Sequence, residues 1–283
     1  MNRPTAQVLL DDLFSLKGKT VVVTGACGFF GRHFTHGLLQ AGGRVIMLSH
    51  SPAVREHERA HAAEFGDANV AAVEVDLYDR EALERAVGEL VAKHDVDVLV
   101  NNAYDFSPRT GFNTPDGNLE AASFEQWATA FESGIYWAAR LTQLVGTQMC
   151  RRGGGNVINV SSMYGLVSPD LRLYEGTRFF NPPSYGVMKA GLLAFTRYVA
   201  AAWGRFGIRC NALVPGAFSN TEDAAYNAVS RDDPFLRRLE ARTLLNRVGK
   251  PRELLGALIL LASDASAYMT GQAIVVDGGW TVT

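Results

Sequence analysis

The chain has 283 residues, of which 47% are hydrophobic and 20% charged, a balance typical of a soluble globular protein with a sizeable core. Its formal net charge of -2 gives no indication of a nucleic-acid partner, and no apolar run is long enough to span a membrane. The start of the chain is a poor signal peptide, because Asp11 and Asp12 interrupt its apolar stretch. Its three cysteines have no metal-ligand spacing: Cys27, Cys150 and Cys210. We therefore expect a cytoplasmic protein with reduced thiols and no metal site.

Strand-like and helix-like segments alternate along the chain. Apolar strand patterns occur at 20–24, 44–48, 69–76, 97–103, 156–162, 208–216 and 272–279. Helical patterns occur between them at 29–42, 52–65, 80–94, 124–150, 184–207 and 252–264. Parallel strands joined by crossover helices form a sheet covered on both faces, so this order predicts a doubly wound α/β fold with about seven strands.

No linker or internal repeat interrupts the pattern, which predicts one domain over residues 1–283 with an N-terminal extension at 1–15. Two segments, 104–122 and 216–246, have no regular pattern. In sheets of this kind the ligand lies beyond the carboxyl ends of the strands, where such segments line the crevice. We expect both to act as lids, with 216–246 the candidate lid over the substrate.

The first strand-to-helix turn is TGACGFFG, residues 24–31, which carries Gly25, Gly28 and Gly31. At such a turn the backbone N–H groups and the helix dipole favour a pyrophosphate. Glycines also allow tight packing of the backbone, so this glycine pattern alone is weak support for phosphate binding. Its place between the first strand and the first helix predicts a dinucleotide-binding site.

Polar residues follow the next strands at the same edge of the sheet. Asp76 follows the third strand, where its carboxylate could accept a hydrogen bond from an adenine amino group, with Leu77 against the ring. Alternatively, Asp76 is a simple N-cap for the helix that starts near Asp79. Asn101 and Asn102 end the fourth strand, at the height where we expect a bound ribose.

The end of the second strand bears on the choice of cofactor. It is Ser49-His50, with no acidic residue to bind the ribose 2′-hydroxyl of NAD. Ser49 can donate to a 2′-phosphate, and His50, together with Arg55, can add positive charge there. This favours NADP over NAD, although serine and histidine are also common in solvated loops.

Three residues in the second half of the chain suit proton transfer. Tyr185 and Lys189 are four residues apart in a helical pattern, so they share one face. An ammonium beside a phenol, together with the positive nicotinamide of an oxidised cofactor, favours the phenolate and lowers the pKa of the phenol from its reference value of roughly 10. Ser162 ends the fifth strand, where its hydroxyl could hydrogen-bond a substrate carbonyl oxygen. Together these residues predict a general acid/base site.

With these motifs the sequence resembles the short-chain dehydrogenase/reductase family, in its single-domain branch, from about Leu16 to Gly279. The shared motifs are TGACGFFG, NNA, NVSS, YGVMK, NALVPG, RVGKPREL and TGQAIVVDGG. The resemblance implies a Rossmann-type fold and an oxidoreductase. It implies that Ser162 polarises the substrate, that Tyr185 is the general acid/base, and that Lys189 also holds the nicotinamide ribose. The cofactor-binding set it implies, with the residues above, is Gly25, Gly28, Phe30, Gly31, Ser49, His50, Asp76, Leu77, Asn102, Ala103, Tyr185, Lys189, Pro215 and Gly216.

The sequence departs from the family pattern at three positions. Phe29 stands where the branch has a glycine, which is tolerated if its side chain points away from the phosphates. Tyr104, and not glycine, follows NNA. Gly134 stands where the family has an asparagine that holds a water for proton relay to the lysine. We expect a water to fill the vacated volume, held by Ser133 or a backbone carbonyl.

The segment between Ser162 and Tyr185 is long for this branch. Its polar residues suit a polyhydroxylated or charged substrate: Arg172, Tyr174, Glu175, Thr177, Arg178 and Asn181. The segment is similar to inserts in bacterial oxidoreductases that act on sugars or nucleotide sugars. Alternatively, it is a surface loop that is merely longer.

These observations predict an NADP-preferring oxidoreductase that interconverts a secondary alcohol and a ketone on a small, carbohydrate-like molecule. The alternatives are a 3-oxoacyl-type reductase and a dinucleotide-binding protein without catalysis. The resemblance further implies a homotetramer or homodimer. The apolar stripe LLAFTRYVAAAW and the aromatic Trp280 are candidate contacts with a neighbouring subunit.

Overall fold

The computed structural model describes residues 6–221 and 230–282. Residues 1–5 of the predicted N-terminal extension and 222–229 of the predicted lid lie outside the described residues, as does residue 283. The described part of the extension forms helix α1, Ala6–Phe14.

Seven parallel strands form a single sheet in the order β3-β2-β1-β4-β5-β6-β7. They are β1 Thr20–Thr24, β2 Arg44–Ser49, β3 Val70–Glu74, β4 Val98–Asn101, β5 Gly155–Val160, β6 Ile208–Pro215 and β7 Ala273–Val276. The strand order reverses direction between β1 and β4, and ligands of doubly wound sheets bind at such a switch point. The predicted fold class is confirmed.

The helices cover both faces of this sheet. They are α2 Phe29–Gln40, α3 Val54–Phe65, α4 Arg80–Lys93, α5 Phe124–Phe131, α6 Trp137–Arg152, α7 Pro183–Trp203, α8 Pro234–Arg242 and α9 Leu255–Ala262. On one face α2 packs over β1 and α9 over β5 and β6, through side chains such as Phe34 and Leu258, which are fully buried. On the other face α4 and α6 bury Leu83 and Leu141 in a second core cluster. None of the helices in the described residues is long and apolar enough to cross a membrane.

The sequence patterns missed helix α8 inside a segment expected to be irregular. Asp233 caps this helix by accepting a hydrogen bond from the backbone N–H of Phe235 at 2.8 Å, and Pro234 occupies its first turn. Leu236 and Leu239 are buried along one side of it. The cap, the proline and the helical spacing of these apolar residues were the available signal.

The predicted role of Trp280 in contacting another subunit is wrong. Its side chain is 2% exposed and packs inside the subunit, 6.3 Å from the ring of Tyr164. A contact between subunits requires a surface that this indole does not present. The burial follows from the turn at Gly278 and Gly279, which both have positive φ and fold the chain back after β7.

Helix α6 lies close to α7 because Gly146 has no side chain. A Cβ at this position would be 2.3 Å from a ring carbon of Trp203. We expect Gly146→Ala to lower the melting temperature, since the indole and the end of α7 must shift to admit the methyl group. Gly88 in α4 has nothing within 4 Å of its Cβ position. As the matched control, Gly88→Ala should raise stability by up to about 1 kcal/mol. Equal effects of the two substitutions in thermal unfolding would contradict this account.

Candidate active site

A cavity of about 1110 Å³ opens at the carboxyl ends of the central strands. This is slightly above the range of roughly 300–1,000 Å³ that is usual for small-molecule and cofactor sites. The structure brings these predicted residues together along its wall: Gly25, Gly28, Phe30, Ser49, His50, Asp76, Leu77, Asn102, Ala103, Ser162, Tyr185, Lys189, Pro215 and Gly216. The turn after β1 and the start of α7 therefore face a common space.

The glycine turn has the shape that a pyrophosphate requires. Gly25 adopts a positive φ of 61°, and Gly28 is the N-cap of α2 with no side chain capping the helix. The N–H groups of the first helical turn therefore have no side-chain acceptor from the cap and can bind phosphate oxygens. Gly31 does not line the cavity; a Cβ there would be 2.1 Å from the carbonyl oxygen of Gly25. Its role is to let the helix approach the turn.

Phe29 lines the cavity as well. Its ring packs 5.2 Å from the ring of Phe30 and 6.3 Å from that of His33. Phe30 in turn packs against Phe34 and Phe218. The two phenylalanines thus form an aromatic wall at the entrance to α2 and anchor the beginning of this helix.

Asn102 holds the glycine turn in place. Its side-chain amide donates to the carbonyl of Thr24 at 2.9 Å and to that of Gly25 at 3.3 Å. The hydroxyl of Thr24 accepts from the backbone N–H groups of Asn102 and Ala103, both at 3.0 Å. Thr24 was not among the predicted site residues, although it opens the TG motif. These bonds tie the end of β4 to the end of β1.

The expectation that Asn101 lies at the height of a ribose is wrong. Its side chain is buried below the cavity and donates to the Thr142 hydroxyl at 3.1 Å and to Oδ1 of Asn159 at 2.9 Å. Successive residues of a strand point to opposite faces, so Asn101 faces the helices where Asn102 faces the turn. Asn101 therefore belongs to the core.

The interpretation of Asp76 as a helix cap is also wrong. Helix α4 is capped by Asp79, whose carboxylate accepts from the backbone N–H of Ala82 at 2.9 Å. Asp76 lies in the cavity wall beside Leu77, with one carboxylate oxygen accepting from the N–H of Tyr78 at 3.0 Å. Its exposed carboxylate is available to an adenine amino group.

The loop after β4, part of the segment 104–122 that was expected to line the crevice, does line this side of the cavity. Its Asp105 accepts a hydrogen bond from the Tyr78 hydroxyl at 2.7 Å. The guanidinium of Arg109 lies over the Tyr78 ring at 4.3 Å from its centroid. Asp105, Ser107 and Arg109 all line the cavity and give it a polar, charged edge.

Arg55 does not reach the cavity, so the expectation that it adds charge at the end of β2 is wrong. Its guanidinium donates to the carbonyl of Ala72 at 2.7 Å and to the carboxylate of Glu58 at 3.2 Å. Ser49 and His50 do line the cavity, and His50 is exposed. The Ser49 hydroxyl accepts from the backbone N–H of Ser51 at 3.2 Å. Of the two basic residues expected at the end of β2, His50 is the one that lines the cavity.

Ser162, Tyr185 and Lys189 meet where β5 ends beside the first turns of α7. Nζ of Lys189 donates to the carbonyl of Val160 at 2.9 Å, and the Ser161 hydroxyl donates to the carbonyl of Lys189 at 2.9 Å. These reciprocal bonds fix the helix against the strand. Lys189 is 4% exposed and Tyr185 is 8% exposed.

Burial sets the protonation of this pair. It raises the pKa of Tyr185 to about 12, while a hydrogen bond with Ser162 acts in the opposite direction. It lowers the pKa of Lys189 to about 7, since an ammonium loses its hydration there. In the cofactor-free chain at neutral pH, Tyr185 is therefore a protonated phenol beside a lysine close to half ionised.

Gly134 leaves no open volume, so the expected water site is wrong. The residue lies in a five-residue π-helix, Glu132–Tyr136, that joins α5 to α6. A Cβ on Gly134 would be 2.6 Å from Cβ of Met188 and 3.2 Å from Cε2 of Tyr104. The Ser133 hydroxyl donates to the carbonyl of Thr129 at 3.0 Å. The π-helix approaches α7 closely and so occupies the space that an asparagine side chain would otherwise fill.

The polar residues of the long segment before α7 do not line the cavity. Arg172 is exposed and forms an ion pair with Asp170 at 2.7 Å. The Tyr174 hydroxyl lies 3.0 Å from that of Tyr164. Arg238 of α8 donates to the carbonyl of Leu173 at 3.0 Å and to that of Glu175 at 2.6 Å. The segment is thus fastened to α8 at the side of the cavity.

One group of possible metal ligands occurs among the described residues, away from the cavity. Donor atoms of His36, His61 and Glu64 lie within 4.8 Å of one another between α2 and α3. A contact of 3.8 Å between His36 and Glu64 accounts for part of this grouping. The expectation of a protein without a metal site stays a prediction.

Comparisons with known proteins find one matching family model and several dehydrogenases that match over most of the chain. A family model described as enoyl-(acyl carrier protein) reductase matches residues 26–281. The 7alpha-hydroxysteroid dehydrogenase of Bacteroides fragilis is 31% identical over 271 residues, 94% of this chain and 95% of that protein. The L-rhamnose 1-dehydrogenase (NAD(P)(+)) of Azotobacter vinelandii is 34% identical, over 92% of this chain and 96% of that protein. A crystal structure of a gluconate 5-dehydrogenase from Burkholderia cenocepacia, in complex with NADP and tartrate, matches with a TM-score of 0.80 at 27% identity, over 97% of this chain and 99% of that chain.

The buried Lys189 should make the stability of the cofactor-free protein depend on pH. Its pKa is about 7 in the folded chain and returns toward 10.5 on unfolding, so between these values the unfolded chain binds more protons. Stability should therefore rise with pH from 7 to 9, by up to about 1.4 kcal/mol per pH unit from this group. In denaturant unfolding at several pH values, Lys189→Met should lose this slope. Lys93→Met, which removes an exposed lysine, should keep it. A slope unchanged in Lys189→Met would contradict the assignment.

Proposed function

The chain belongs to the short-chain dehydrogenase/reductase family and is an NAD(P)-dependent oxidoreductase that interconverts a secondary alcohol and a ketone; from this premise we propose that its substrate is carbohydrate-like and that it prefers NADP. The observation that carries the proposal is the meeting of Ser162, Tyr185 and Lys189 in the cavity that also holds the glycine turn. A nicotinamide dinucleotide spanning that cavity would bring its reactive ring to these side chains.

In the proposed mechanism the three side chains act on the oxygen of the substrate. The Ser162 hydroxyl donates a hydrogen bond to this oxygen, and Tyr185 gives it a proton in ketone reduction or removes one in alcohol oxidation. The ammonium of Lys189 favours the phenolate of Tyr185 by its charge. When bound, the cofactor supplies or accepts the hydride. The raised pKa of Tyr185 keeps the proton donor ready for ketone reduction at neutral pH.

The remaining predicted residues would hold the cofactor. We assign the pyrophosphate to the turn of Gly25, Gly28 and Phe30, with Gly31 packing α2 against that turn. We assign the adenine to Asp76 and Leu77, and the ribose and nicotinamide to Asn102, Ala103, Lys189, Pro215 and Gly216. The positive φ of Gly25 and the uncapped start of α2 support the first assignment. The second is supported by the place of Asp76 in the cavity wall.

A carbohydrate-like substrate is supported by the polar edge of the cavity and by the relatives. Asp105, Ser107 and Arg109 offer hydrogen-bond donors and acceptors where an acyl chain would need an apolar wall. The relatives include an L-rhamnose 1-dehydrogenase and a gluconate 5-dehydrogenase. A 3-oxoacyl-type reductase, the second candidate, is favoured by the likeness to an acetoacetyl-CoA reductase, because the acetoacetyl group is a 3-oxoacyl group.

We further propose that the whole chain works as one domain, in a homotetramer or homodimer in the cytoplasm, with 216–246 as the lid over the substrate. Exposed apolar side chains support an assembly: Tyr198 on α7 is 72% exposed, and Val275 on the edge strand β7 is 40% exposed. Tyr268 is fully exposed close to the start of β7. Tyr198 lies in the stripe LLAFTRYVAAAW that was expected to contact a neighbouring subunit.

Removing the proposed proton donor tests the function. Sugars, sugar acids, their ketones and short 3-oxoacyl esters are screened with NADPH, NADH and the oxidised cofactors by absorbance change. With the best substrate, Tyr185→Phe should lower turnover about 100-fold or more and leave cofactor binding intact, because the ring remains and the proton is lost. Tyr198→Phe removes an exposed hydroxyl from the same helix and should turn over normally. Near-normal turnover by Tyr185→Phe would refute the role of Tyr185.

The cofactor preference is tested at His50. We expect the unmodified protein to bind NADPH more tightly than NADH in fluorescence titrations, since no carboxylate at the end of β2 would repel a 2′-phosphate. His50→Asp introduces that carboxylate and should erase or reverse the preference. His57→Asp adds the same charge on α3 outside the cavity wall and serves as the control. Tighter binding of NADH by the unmodified protein would show that the proposed preference is wrong.

A further inference from the structure

The ring of Tyr104 lies among the groups proposed to react. Its centroid is 5.1 Å from that of Tyr185, in an edge-to-face arrangement, and 5.0 Å from Nζ of Lys189. The Tyr185 ring lies 5.6 Å from the same Nζ. The buried ammonium thus has two aromatic rings beside it and the carbonyl of Val160 as hydrogen-bond acceptor. Attraction between a cation and an aromatic face is strongest in such a desolvated place.

Gly134 makes room for this ring. A Cβ at Gly134 would be 2.6 Å from Cβ of Met188 and 3.2 Å from Cε2 of Tyr104, so even the smallest side chain would press on both. Met188 directly precedes Lys189 in α7. The π-helix that carries Gly134 is a local widening of the helix, of a kind frequent at functional sites. The two departures from the family pattern, at positions 104 and 134, therefore meet in one contact.

The contacts of Tyr104 are made by its ring. Its hydroxyl is buried and makes no well-formed hydrogen bond within the described residues. The neighbouring Thr110 hydroxyl donates elsewhere, to the carbonyls of Asp105 and Ser107, both at 2.9 Å. The next residue, Asp105, accepts from the backbone N–H of Ser107 at 2.8 Å and from the hydroxyl of Tyr78 at 2.7 Å. These bonds hold the loop, and so the ring, in position.

We propose that Tyr104 is a positioning residue whose ring holds the ammonium of Lys189 beside Tyr185, and that glycine at position 134 lets this ring and α7 pack closely together. The inference rests on the proposed function, in which Tyr185 and Lys189 form the reacting pair. The titratable side chains recorded facing Tyr185 are Tyr104, Tyr164 and Tyr174. All three are uncharged at neutral pH, and the basic group of Lys189 lies 5.6 Å from the Tyr185 ring.

The first test separates the ring from the hydroxyl. Tyr104→Leu should lower kcat about tenfold or more with KM within about twofold, because it removes the support of Lys189 and leaves the substrate contacts. In alcohol oxidation, the rise of kcat with pH that reports ionisation of Tyr185 should shift to higher pH. Tyr104→Phe keeps the ring and should retain the wild-type kcat and its pH dependence. Leu83→Ala removes a fully buried side chain of α4 in the second core cluster and should lower stability without changing the pH profile.

Two outcomes of this test would overturn the proposal. One is a wild-type kcat and pH profile in Tyr104→Leu. The other is an equal loss in Tyr104→Phe and Tyr104→Leu, which would assign the effect to the hydroxyl.

The second test does not need turnover and so separates this inference from the proposed function. In the cofactor-free protein, Gly134→Ala should lower the melting temperature, whereas Gly256→Ala, with nothing within 4 Å of its Cβ position, should not. In the double variant with Tyr104→Leu, the melting temperature should fall by less than the sum of the two single changes. The reason is that Tyr104, one of the two side chains that the new methyl group presses against, is gone. Additive shifts would overturn the dependence of Tyr104 on Gly134. A wild-type protein inactive on every alcohol and ketone would instead refute the proposed function.

Discussion

The burial of one ammonium at the junction of β5 and α7 is the constraint on which the site depends. Removing Lys189 from water is costly, and it is tolerated only where hydrogen bonds and neighbouring groups replace the lost hydration. The carbonyl of Val160 supplies one hydrogen bond, and the helix is held to the strand by the bond from Ser161 to the carbonyl of Lys189. A small displacement of α7 would break both bonds. The position of Tyr185, one turn earlier, follows from the same junction.

Beneath this junction a buried polar network keeps the strands and helices in register. Asn159 accepts a hydrogen bond from Asn101 of β4 and donates to the hydroxyl of Thr196 in α7 at 2.9 Å. Asn101 also reaches Thr142 in α6. A buried amide that lost one of these partners would be left unsatisfied, so the network penalises any other arrangement. Two strands and two helices are thereby fixed below the reacting side chains.

The alternation of strands and helices could be predicted because each segment carries its own period and its own turn residues. The residues of the glycine turn and of the YGVMK segment were found for the same reason: their function depends on local spacing. Arg55 and Asn101 were misplaced because a sequence shows neither which carbonyl a guanidinium binds nor which face of a strand meets a helix. Gly134 was misread because its neighbours, Tyr104 and Met188, are remote in the chain. Contacts between segments that are distant in the chain decide which side chain fills a space. The hydrophobic periodicity of a sequence does not reveal these contacts.

The bonds made by Arg238 have a mechanical consequence for the segment before α7. One guanidinium holds the carbonyls of Leu173 and Glu175, so helix α8 cannot move away from this segment without breaking these bonds. The segment is in turn tied to the interior through the contact of Tyr174 with Tyr164. A displacement of α8 would therefore strain its bonds to the segment and, through them, the contact at Tyr164.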